Sequence, residues 1–384
     1  MQSLDDFAKD RLDSLERRQL RRQLVETERG DGAQATRDGR AMISFSCNDY
    51  LNLSHDPRVL QAAQDAAARY GTGSGASRLV TGNHPLFSDL ESRLAKLKGT
   101  EDACVFGSGY LANLGIIPSL VGPQDLILAD EFSHACIMAG SKLSGARFEI
   151  FRHNDIAHAE EILAAHRASH GHAMILTDGV FSMDGDLAPV AALSSLAEQY
   201  DAWFMTDDAH GVGVVGGGRG SGFVGGNKID VPLQMGTLSK AIGGYGGYLC
   251  ASADVINLIR TRARTFIYTT GLPPAVIASA IAALDIIAAE PELVARPLEN
   301  ARLFTNLLGL PEAESCIVPV VLGNPEKALS ASAMLDSEGY IVTAIRPPTV
   351  PEGTARLRFA FAAPHLPQDI HRLAGLVRTH LLGD

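Results

Sequence analysis

Residues 203–211 read Trp-Phe-Met-Thr-Asp-Asp-Ala-His-Gly, an apolar run that breaks into two carboxylates and a histidine. The first four residues predict a short buried strand, because three of them are large and apolar and the fourth is β-branched. A carboxylate at the end of such a strand must be paired or hydrogen-bonded to stay charged. Taken alone, Asp207 and Asp208 are more typical of a helix cap or a solvent-facing turn, so a functional role requires support from other segments.

The pattern of a short apolar strand next to a helix recurs on both sides of this stretch. Apolar strands that alternate with helices indicate a mostly parallel sheet covered on both faces. We therefore predict an α/β protein whose large domain holds a mostly parallel seven-stranded sheet, with ligands at the carboxyl ends of the strands. The predicted strands are residues 103–106, 126–129, 148–151, 173–177, 203–206, 234–238 and 247–251, and the predicted helices are 57–70, 85–98, 111–120, 157–166 and 190–200.

The two ends of the chain complete the predicted organisation. Leucines among many charges predict an amphipathic helix over residues 4–26, with its arginines on a solvated face. A long helix over residues 276–300 leads into further strands, predicted over 317–322, 340–345 and 356–361, and helices near 327–338 and 367–382. We predict three parts: an N-terminal helical segment (1–45), the large domain (46–280) and a smaller C-terminal α+β domain (281–384).

Composition excludes several classes of protein. The 384 residues are 46% hydrophobic and 20% charged, which excludes a disordered chain. The net charge of -11 argues against a nucleic-acid partner, although helix N-termini can still hold a small anion. Five scattered cysteines favour buried thiols in a reducing compartment over a disulfide or metal site. No run suits a signal peptide or a membrane span, so we expect no membrane partner and a cytoplasmic location.

Two glycine-rich segments match the dinucleotide-binding fingerprint. Gly107–Ala112 follows a strand and opens a helix, with Asp130 at the end of the next strand, so an NAD-dependent oxidoreductase stays open as an alternative. Gly211–Gly216 is followed by more glycines where a helix should begin, and we interpret it as a flexible loop. The first match also supports a weaker statement, that N–H groups near Gly109 and Tyr110 can hold a phosphate.

A lysine gives these segments a common chemistry. Lys240 ends the segment Thr237-Leu-Ser-Lys and is followed by several glycines. A lone lysine usually lies on the surface, but glycines around it indicate that another group approaches the backbone closely. Pyridoxal phosphate (PLP) needs a lysine for a Schiff base, an acid beside its pyridine nitrogen and phosphate donors at a helix start. Lys240, Asp207 and Gly109 supply these three parts, so the sequence predicts a PLP site.

The chain resembles the α-oxoamine synthases, which are fold-type I PLP transferases, over nearly its whole length. The resemblance implies a homodimer with a shared active site. A non-catalytic relative that merely keeps the fold would be expected to have lost Lys240 or Asp207, and both are present. The segments that carry the resemblance are 45–51, 71–77, 133–135, 178–185, 207–211, 237–240 and 345–351.

The resemblance implies a role for each cofactor contact. Lys240 would form the Schiff base and later transfer a proton, Asp207 would pair with the pyridine nitrogen, and His134 would stack on the ring. These three are the expected catalytic residues. The other expected cofactor contacts are Gly109, Tyr110, Ser182, His210 and Thr237, with Thr269 or Thr270 from the other subunit.

The resemblance also implies the substrate contacts. Asn48, His134 and Arg358 would meet the amino acid, since arginine binds a carboxylate in a fixed orientation. Arg21 and Thr349 would lie on the acyl-thioester side, with Arg22 as an alternative to Arg21. The role of Arg78 stays open, and a pocket anion is one possibility.

The implied reaction is a decarboxylative condensation of L-alanine with a pimeloyl thioester of CoA or a carrier protein. Siblings in the family use glycine with acetyl- or succinyl-CoA, or serine with a long acyl-CoA. The run over residues 343–358 most resembles the alanine-using branch. A sibling activity remains the alternative.

Overall fold

The computed structural model describes residues 3–18, 20–22 and 24–383. The helices are α1 (Leu4–Arg17), α2 (Pro57–Tyr70), α3 (Pro85–Lys98), α4 (Gly109–Leu120), α5 (Ala135–Ser144), α6 (Ile156–His166), α7 (Val190–Gln199), α8 (Ala253–Arg262), α9 (Arg264–Ile267), α10 (Pro274–Ala289), α11 (Pro291–Leu308), α12 (Pro325–Ser337) and α13 (Pro367–Val377). The strands are β1 (Glu28–Arg29), β2 (Gln34–Arg37), β3 (Arg40–Ser44), β4 (Asp102–Phe106), β5 (Leu126–Asp130), β6 (Arg147–Phe151), β7 (Ala173–Asp178), β8 (Trp203–Asp207), β9 (Leu233–Thr237), β10 (Gly247–Ala251), β11 (Ile317–Gly323), β12 (Tyr340–Ile341), β13 (Thr343–Ile345) and β14 (Ala355–Ala360).

Seven strands form the central sheet in the order β4-β10-β9-β8-β7-β5-β6. The strands from β9 to β6 run parallel, while β10 pairs antiparallel with both β4 and β9. Side chains alternate between the faces: Ile127 packs in one apolar cluster, while its neighbours Leu126 and Leu128 pack in another. Both faces of the sheet are therefore buried, and the predicted seven-stranded, mostly parallel α/β sheet is confirmed.

Polar side chains stand at the carboxyl ends of four neighbouring parallel strands. Strands β5, β7, β8 and β9 end in Asp130, Asp178, Asp207 and Thr237. Asp178 and Asp207 are register partners on adjacent strands. Because these ends lie along one edge of the sheet, the residues predicted for a site are brought together there.

Two predicted helices differ from the structure. The N-terminal helix ends at Arg17, short of the predicted residue 26; none of its residues is buried, so packing does not favour a longer helix. The helix predicted over 276–300 is two helices, α10 and α11, separated at Glu290. Glu290 precedes Pro291, whose ring disfavours the helical conformation of the residue before it.

The N-terminal and C-terminal parts of the chain meet in a second sheet. Strands β1, β2 and β3 form an antiparallel meander, and β3 pairs in parallel with β12. The strand predicted over 340–345 is divided, because β13 pairs instead with β14 in a three-stranded sheet with β11. The predicted division after residue 280 falls inside α10, which packs against α2 and α3. The three-part division itself stays a prediction.

No helix in the described part of the chain is long and apolar enough to cross a membrane. The same residues contain no group of three His, Cys, Asp or Glu side chains that could hold a metal ion.

Candidate active site

Asp207 is buried at the end of β8, with 4% of its surface exposed. One carboxylate oxygen accepts a hydrogen bond from the Asn113 side chain at 2.8 Å, and the other accepts from the Ala209 N–H at 2.9 Å. Asn113 lies on α4, four residues after Gly109. These two neutral donors provide the hydrogen bonds that a buried carboxylate requires.

Lys240 lies three residues after the end of β9, at the same edge of the sheet as Asp207. Burial lowers the pKa of its ammonium to about 8; Arg358 contributes to this decrease, while Asp207 and Asp178 oppose it. No hydrogen bond or ion pair joins its Nζ atom to another residue that the structure describes. An unpaired amine with this pKa can act as a nucleophile or as a proton carrier near neutral pH.

His134 stands at the start of α5, and its Nδ1 atom is held as an acceptor. It accepts the backbone N–H of Cys136 at 3.3 Å and lies 2.8 Å from the Cys136 Sγ atom. Burial raises the pKa of this thiol, so the sulfur keeps its proton. Burial also lowers the pKa of His134, with a further contribution from Lys240. The neutral ring therefore carries its proton on Nε2.

A second group of polar side chains surrounds Arg358 on β14. Both of its Nη atoms donate to the Asn48 carbonyl oxygen at 3.2 Å, and its Nε atom donates to the Ser182 backbone carbonyl at 2.5 Å. The Tyr50 hydroxyl lies 3.4 Å from Arg358 and 2.7 Å from the Nδ1 atom of His210. Burial keeps the pKa of His210 well below its ordinary value, so Arg358 supplies the positive charge of this group.

The start of α4 lies directly against β9. A Cβ atom on Gly109 would stand 3.2 Å from the Met235 methyl group and 3.5 Å from the Thr237 hydroxyl, so a side chain there would crowd the strand. The Thr237 hydroxyl donates to the Gly246 carbonyl at 2.7 Å. Tyr110, the second residue of the helix, is half exposed. Backbone N–H groups at a helix start beside a hydroxyl form a site that can hold a phosphate.

Two cavities share Arg22 and Thr349; the one that also contains His134 is called the inner cavity, and the other is called the outer cavity. The inner one, of about 620 Å³, is lined by His134, Ser182, Thr349 and Arg22. The outer one, of about 810 Å³, is lined by Arg21 together with Arg22 and Thr349. Arg21 also forms an exposed ion pair with Glu16 at 3.3 Å, whereas Arg22 borders both cavities. Of the two arginines considered for the acyl side, Arg22 therefore shares a cavity with His134 and Arg21 does not.

Comparison with known proteins identifies the family. The model of the family described as aminotransferase class I and II matches residues 40–376. The chain belongs to this family. A relative from Methylocella silvestris, named 8-amino-7-oxononanoate synthase, is 66% identical over 342 residues, which cover 89% of this chain and 97% of the relative.

Two solved structures have the same fold as this chain. A variant serine palmitoyltransferase from S. paucimobilis, containing PLP joined to myriocin, superposes with a TM-score of 0.91 at 28% identity and covers 98% of both chains. An 8-amino-7-oxononanoate synthase from Francisella tularensis has a TM-score of 0.76 at 27% identity, over 89% of this chain and 98% of that one. The fold is therefore that of a fold-type I PLP transferase, as predicted.

PLP is the cofactor of this 384-residue protein, and the described residues of the chain fit PLP. Lys240 offers an unpaired amine, and Asp207 offers a buried carboxylate that neutral donors hold in place. At Gly109 the absent side chain leaves the helix start open beside Thr237. These features match the aldehyde, the pyridine nitrogen and the phosphate of PLP.

Three further residues considered for the site, Arg78, Thr269 and Thr270, line a small cavity beside Gly107. The Arg78 guanidinium pairs with the buried Glu91 carboxylate, at 3.0 Å between Nη2 and Oε2, and lies 4.0 Å from the Phe87 ring centre. Arg78 thus already has a carboxylate partner within the chain, and its meeting a pocket anion stays a prediction. Thr270 is exposed and bridges to Ser77, and Thr269 lies near Gly107.

The dinucleotide-binding alternative fails on the position of Asp130. Its carboxylate accepts the N–H groups of Phe132 and Asn154, each at 2.8 Å, and also faces the His153 ring. The Asp130 carboxylate is therefore already engaged by groups of its own chain, and it is not free to bind the ribose of a dinucleotide. The second glycine-rich segment is a loop, as predicted: Gly216–Gly218 form one short turn with positive φ throughout.

Sequence reasoning missed several residues that support the site. Asn113 could have been found, since it lies one helical turn from Gly109 on the same face of α4. Asp178 ends β7 just as Asp207 ends β8. Its carboxylate accepts a hydrogen bond from the His134 N–H at 3.0 Å and so holds the start of α5 in place. The buried pair of Lys98 and Asp208 gave no signal, because a lysine at the last position of a helix is usually a surface residue.

Proposed function

We propose that this chain is an 8-amino-7-oxononanoate synthase of biotin biosynthesis. It would condense L-alanine with a pimeloyl thioester and release carbon dioxide. The 66% identity to the Methylocella relative of that name supports the choice of branch. The observation that carries the chemistry is the unpaired Lys240 amine, whose pKa burial lowers to about 8 beside two buried carboxylates.

The proposed roles of the residues follow from their surroundings. When bound, PLP supplies an electron sink for a carbanion at the amino-acid Cα atom. Lys240 would remove the proton from that Cα atom and return it at the end, a role that its lowered pKa supports. Asp207, held by Asn113 and Ala209, would keep the pyridine nitrogen protonated.

The amino acid would be held by the group around Arg358, which bonds the Ser182 backbone at one wall of the inner cavity. Arg358 offers the fixed guanidinium that a carboxylate binds, and Asn48 orients it through its carbonyl oxygen. His134 would present its Nε2–H group to the substrate or to the ring. His210 would meet the cofactor from the side of Tyr50, and Ser182 from the loop after β7.

The acyl donor would enter through the outer cavity. Thr349 and Arg22 border both cavities, so a chain that reaches the inner one passes them. Arg21 lies further out and would meet the anionic end of the donor. The substrates of an enzyme of this type are small molecules.

A second copy of the chain would complete the phosphate side of the site. Tyr110 and Tyr268 are large aromatic residues with 50% and 72% of their surface exposed, close in sequence to Gly109 and to Thr269 and Thr270. Exposed aromatic side chains are typical of surfaces that another protein covers. The homodimer would bring Thr269 or Thr270 to the partner's cofactor. The five free cysteines support a reducing, cytoplasmic location.

Two measurements on PLP-loaded protein test the proposal. Release of CoA should occur with L-alanine plus pimeloyl-CoA, and not with glycine plus acetyl- or succinyl-CoA. Borohydride treatment should leave the cofactor covalently attached to Lys240 and to no other lysine. Turnover of glycine with a short donor would replace the proposed branch by a sibling activity, and attachment elsewhere would refute the site.

A further inference from the structure

His153 lies outside the residues assigned above, just beyond the edge strand β6. Its Nδ1 atom is 3.0 Å from a carboxylate oxygen of Asp130, and its Nε2 atom is 2.7 Å from a carboxylate oxygen of Asp186. The ring is stacked on Phe132, at 4.5 Å between centres, and meets the edge of Phe181 at 4.4 Å. The imidazole is therefore held in place by two acids and two aromatic rings, with 20% of its side chain exposed.

The geometry requires a protonated ring. Carboxylate oxygens only accept hydrogen bonds, and a neutral imidazole donates through one nitrogen alone. Both nitrogens of His153 face carboxylates, so both carry hydrogen. Burial alone would lower the pKa of His153, but the bonds and charges of Asp130 and Asp186 outweigh it and raise the pKa to about 10.

Each of the two acids holds one wall of the inner cavity. Asp130 accepts the Phe132 N–H and so fixes the loop that continues into His134. The backbone carbonyl of Asp186 accepts the Phe181 N–H at 3.1 Å, which closes the turn that carries Ser182. His134 and Ser182 line the same cavity from these two segments.

Asn154 strengthens the same connection. Its backbone N–H donates to Asp130 at 2.8 Å, and its side-chain amide donates to Asp186 at 2.9 Å. The opposite side of the turn is held by the C-terminal part of the chain, where Arg358 bonds Ser182 and the Ser315 hydroxyl bonds the Gly185 carbonyl at 2.6 Å. The His153–Asn154 pair thus ties this turn to the loop before α5.

We propose that His153 is a positioning residue: as an imidazolium between Asp130 and Asp186, it sets the separation between the His134 wall and the Ser182 wall of the cavity. This bridge, formed by His153 between Asp130 and Asp186, keeps the inner cavity at the width that the acyl donor needs. The identity of that donor as a pimeloyl thioester rests on the proposed function, whereas the bridge itself does not.

Two variants remove the bridge to different degrees. His153→Phe keeps an aromatic ring between Phe132 and Phe181 but removes both hydrogen bonds and the charge. His153→Gln keeps one donor and should give an intermediate effect, and it serves in place of the first variant if that one does not fold. His172→Phe is the matched control, because the His172 ring stacks on Trp203 at the amino ends of the strands, away from the cavity.

The first readout is hydrogen exchange of the PLP-loaded proteins. In His153→Phe, peptides covering residues 131–134 and 181–187 should exchange faster than in the wild type, while peptides covering Asp207 and Lys240 stay unchanged. The control should leave both loops unchanged. This readout needs no turnover, so it tests the bridge even if the proposed substrates are wrong.

The second readout separates KM from kcat. For His153→Phe we expect the KM for pimeloyl-CoA to rise about tenfold, the size of a lost charge-assisted hydrogen bond, and kcat to change less than about threefold. The PLP absorption spectrum should be that of the wild type. Unchanged exchange in both loops, or a loss confined to kcat at unchanged KM, would overturn the proposal.

Discussion

Replacing Lys98 by methionine should destabilise the protein strongly, because it leaves a buried carboxylate without its cation. Lys98 and Asp208 have no exposed side-chain surface, and their Nζ and Oδ2 atoms are 2.6 Å apart. In the variant, Asp208 keeps the Ser221 N–H, at 2.9 Å, as its remaining donor. Removing one partner of a buried pair costs about 3–5 kcal/mol of the free energy of unfolding.

Removing both charges should restore most of that stability. Asp208→Asn suits the second change, since Cβ atoms on Gly179 and Gly220 would stand 2.2 and 2.3 Å from the Asp208 carboxylate oxygens and a larger side chain has no room. We expect Lys98→Met/Asp208→Asn to recover about 2 kcal/mol or more relative to Lys98→Met.

The assay is urea unfolding of the PLP-free proteins at one fixed concentration, followed by circular dichroism. Arg147→Met is the control, because Arg147 pairs with Glu149 on the surface and its loss should leave the midpoint unchanged. A loss below about 1 kcal/mol in Lys98→Met, or a double variant less stable than the single one, would refute the reasoning.

Three further outcomes are expected. Asp207→Asn should still bind PLP, by its absorption spectrum, but should lose at least about a hundredfold in CoA release, because a neutral amide cannot keep the pyridine nitrogen protonated; turnover near that of the wild type would contradict the assigned role. In PLP-free protein, the rate at which Lys240 is trapped by PLP and borohydride should rise with pH and level off above about 8, where the amine is neutral, rather than continue to about 10 as for an ordinary lysine. Arg78→Met should lower the urea midpoint, since among the described residues it leaves the Glu91 carboxylate with Arg260 as its one cation and the Val105 N–H as a neutral donor, yet leave the KM for L-alanine unchanged; a raised KM with an unchanged midpoint would instead assign Arg78 to the substrate pocket.

The sequence was sufficient to predict those elements and site residues whose structure follows from a local pattern of residues. Most central strands are apolar runs of about five residues, a pattern typical of a sheet covered on both faces. Asp207 could be predicted as a site residue because it directly follows such a run, and Lys240 because it comes three residues after β9 and before several glycines. The break at Glu290 could also have been predicted, since Pro291 stands beside it in the sequence.

The sequence was not sufficient where partners are far apart in the chain. Lys98 and Asp208 are separated by 110 residues, and nothing near Lys98 indicates a buried carboxylate. His153 and Asn154 read as an ordinary turn after a strand, because the acids that make them significant come from the end of β5 and from the loop after β7. Side-chain pairing across loops depends on the tertiary fold, which local patterns do not encode.

The parallel pairing of β3 with β12 has a consequence for synthesis of the chain. Ile43 pairs with Tyr340, so β3 leaves the ribosome about 300 residues before its partner. At about 5–20 residues per second, one edge of β3 stays unpaired for roughly 15–60 s, during which it can pair with another nascent chain. A stop codon anywhere before residue 340 would make that exposure permanent, so such fragments should aggregate through their N-terminal strands even though the truncation lies at the other end of the gene.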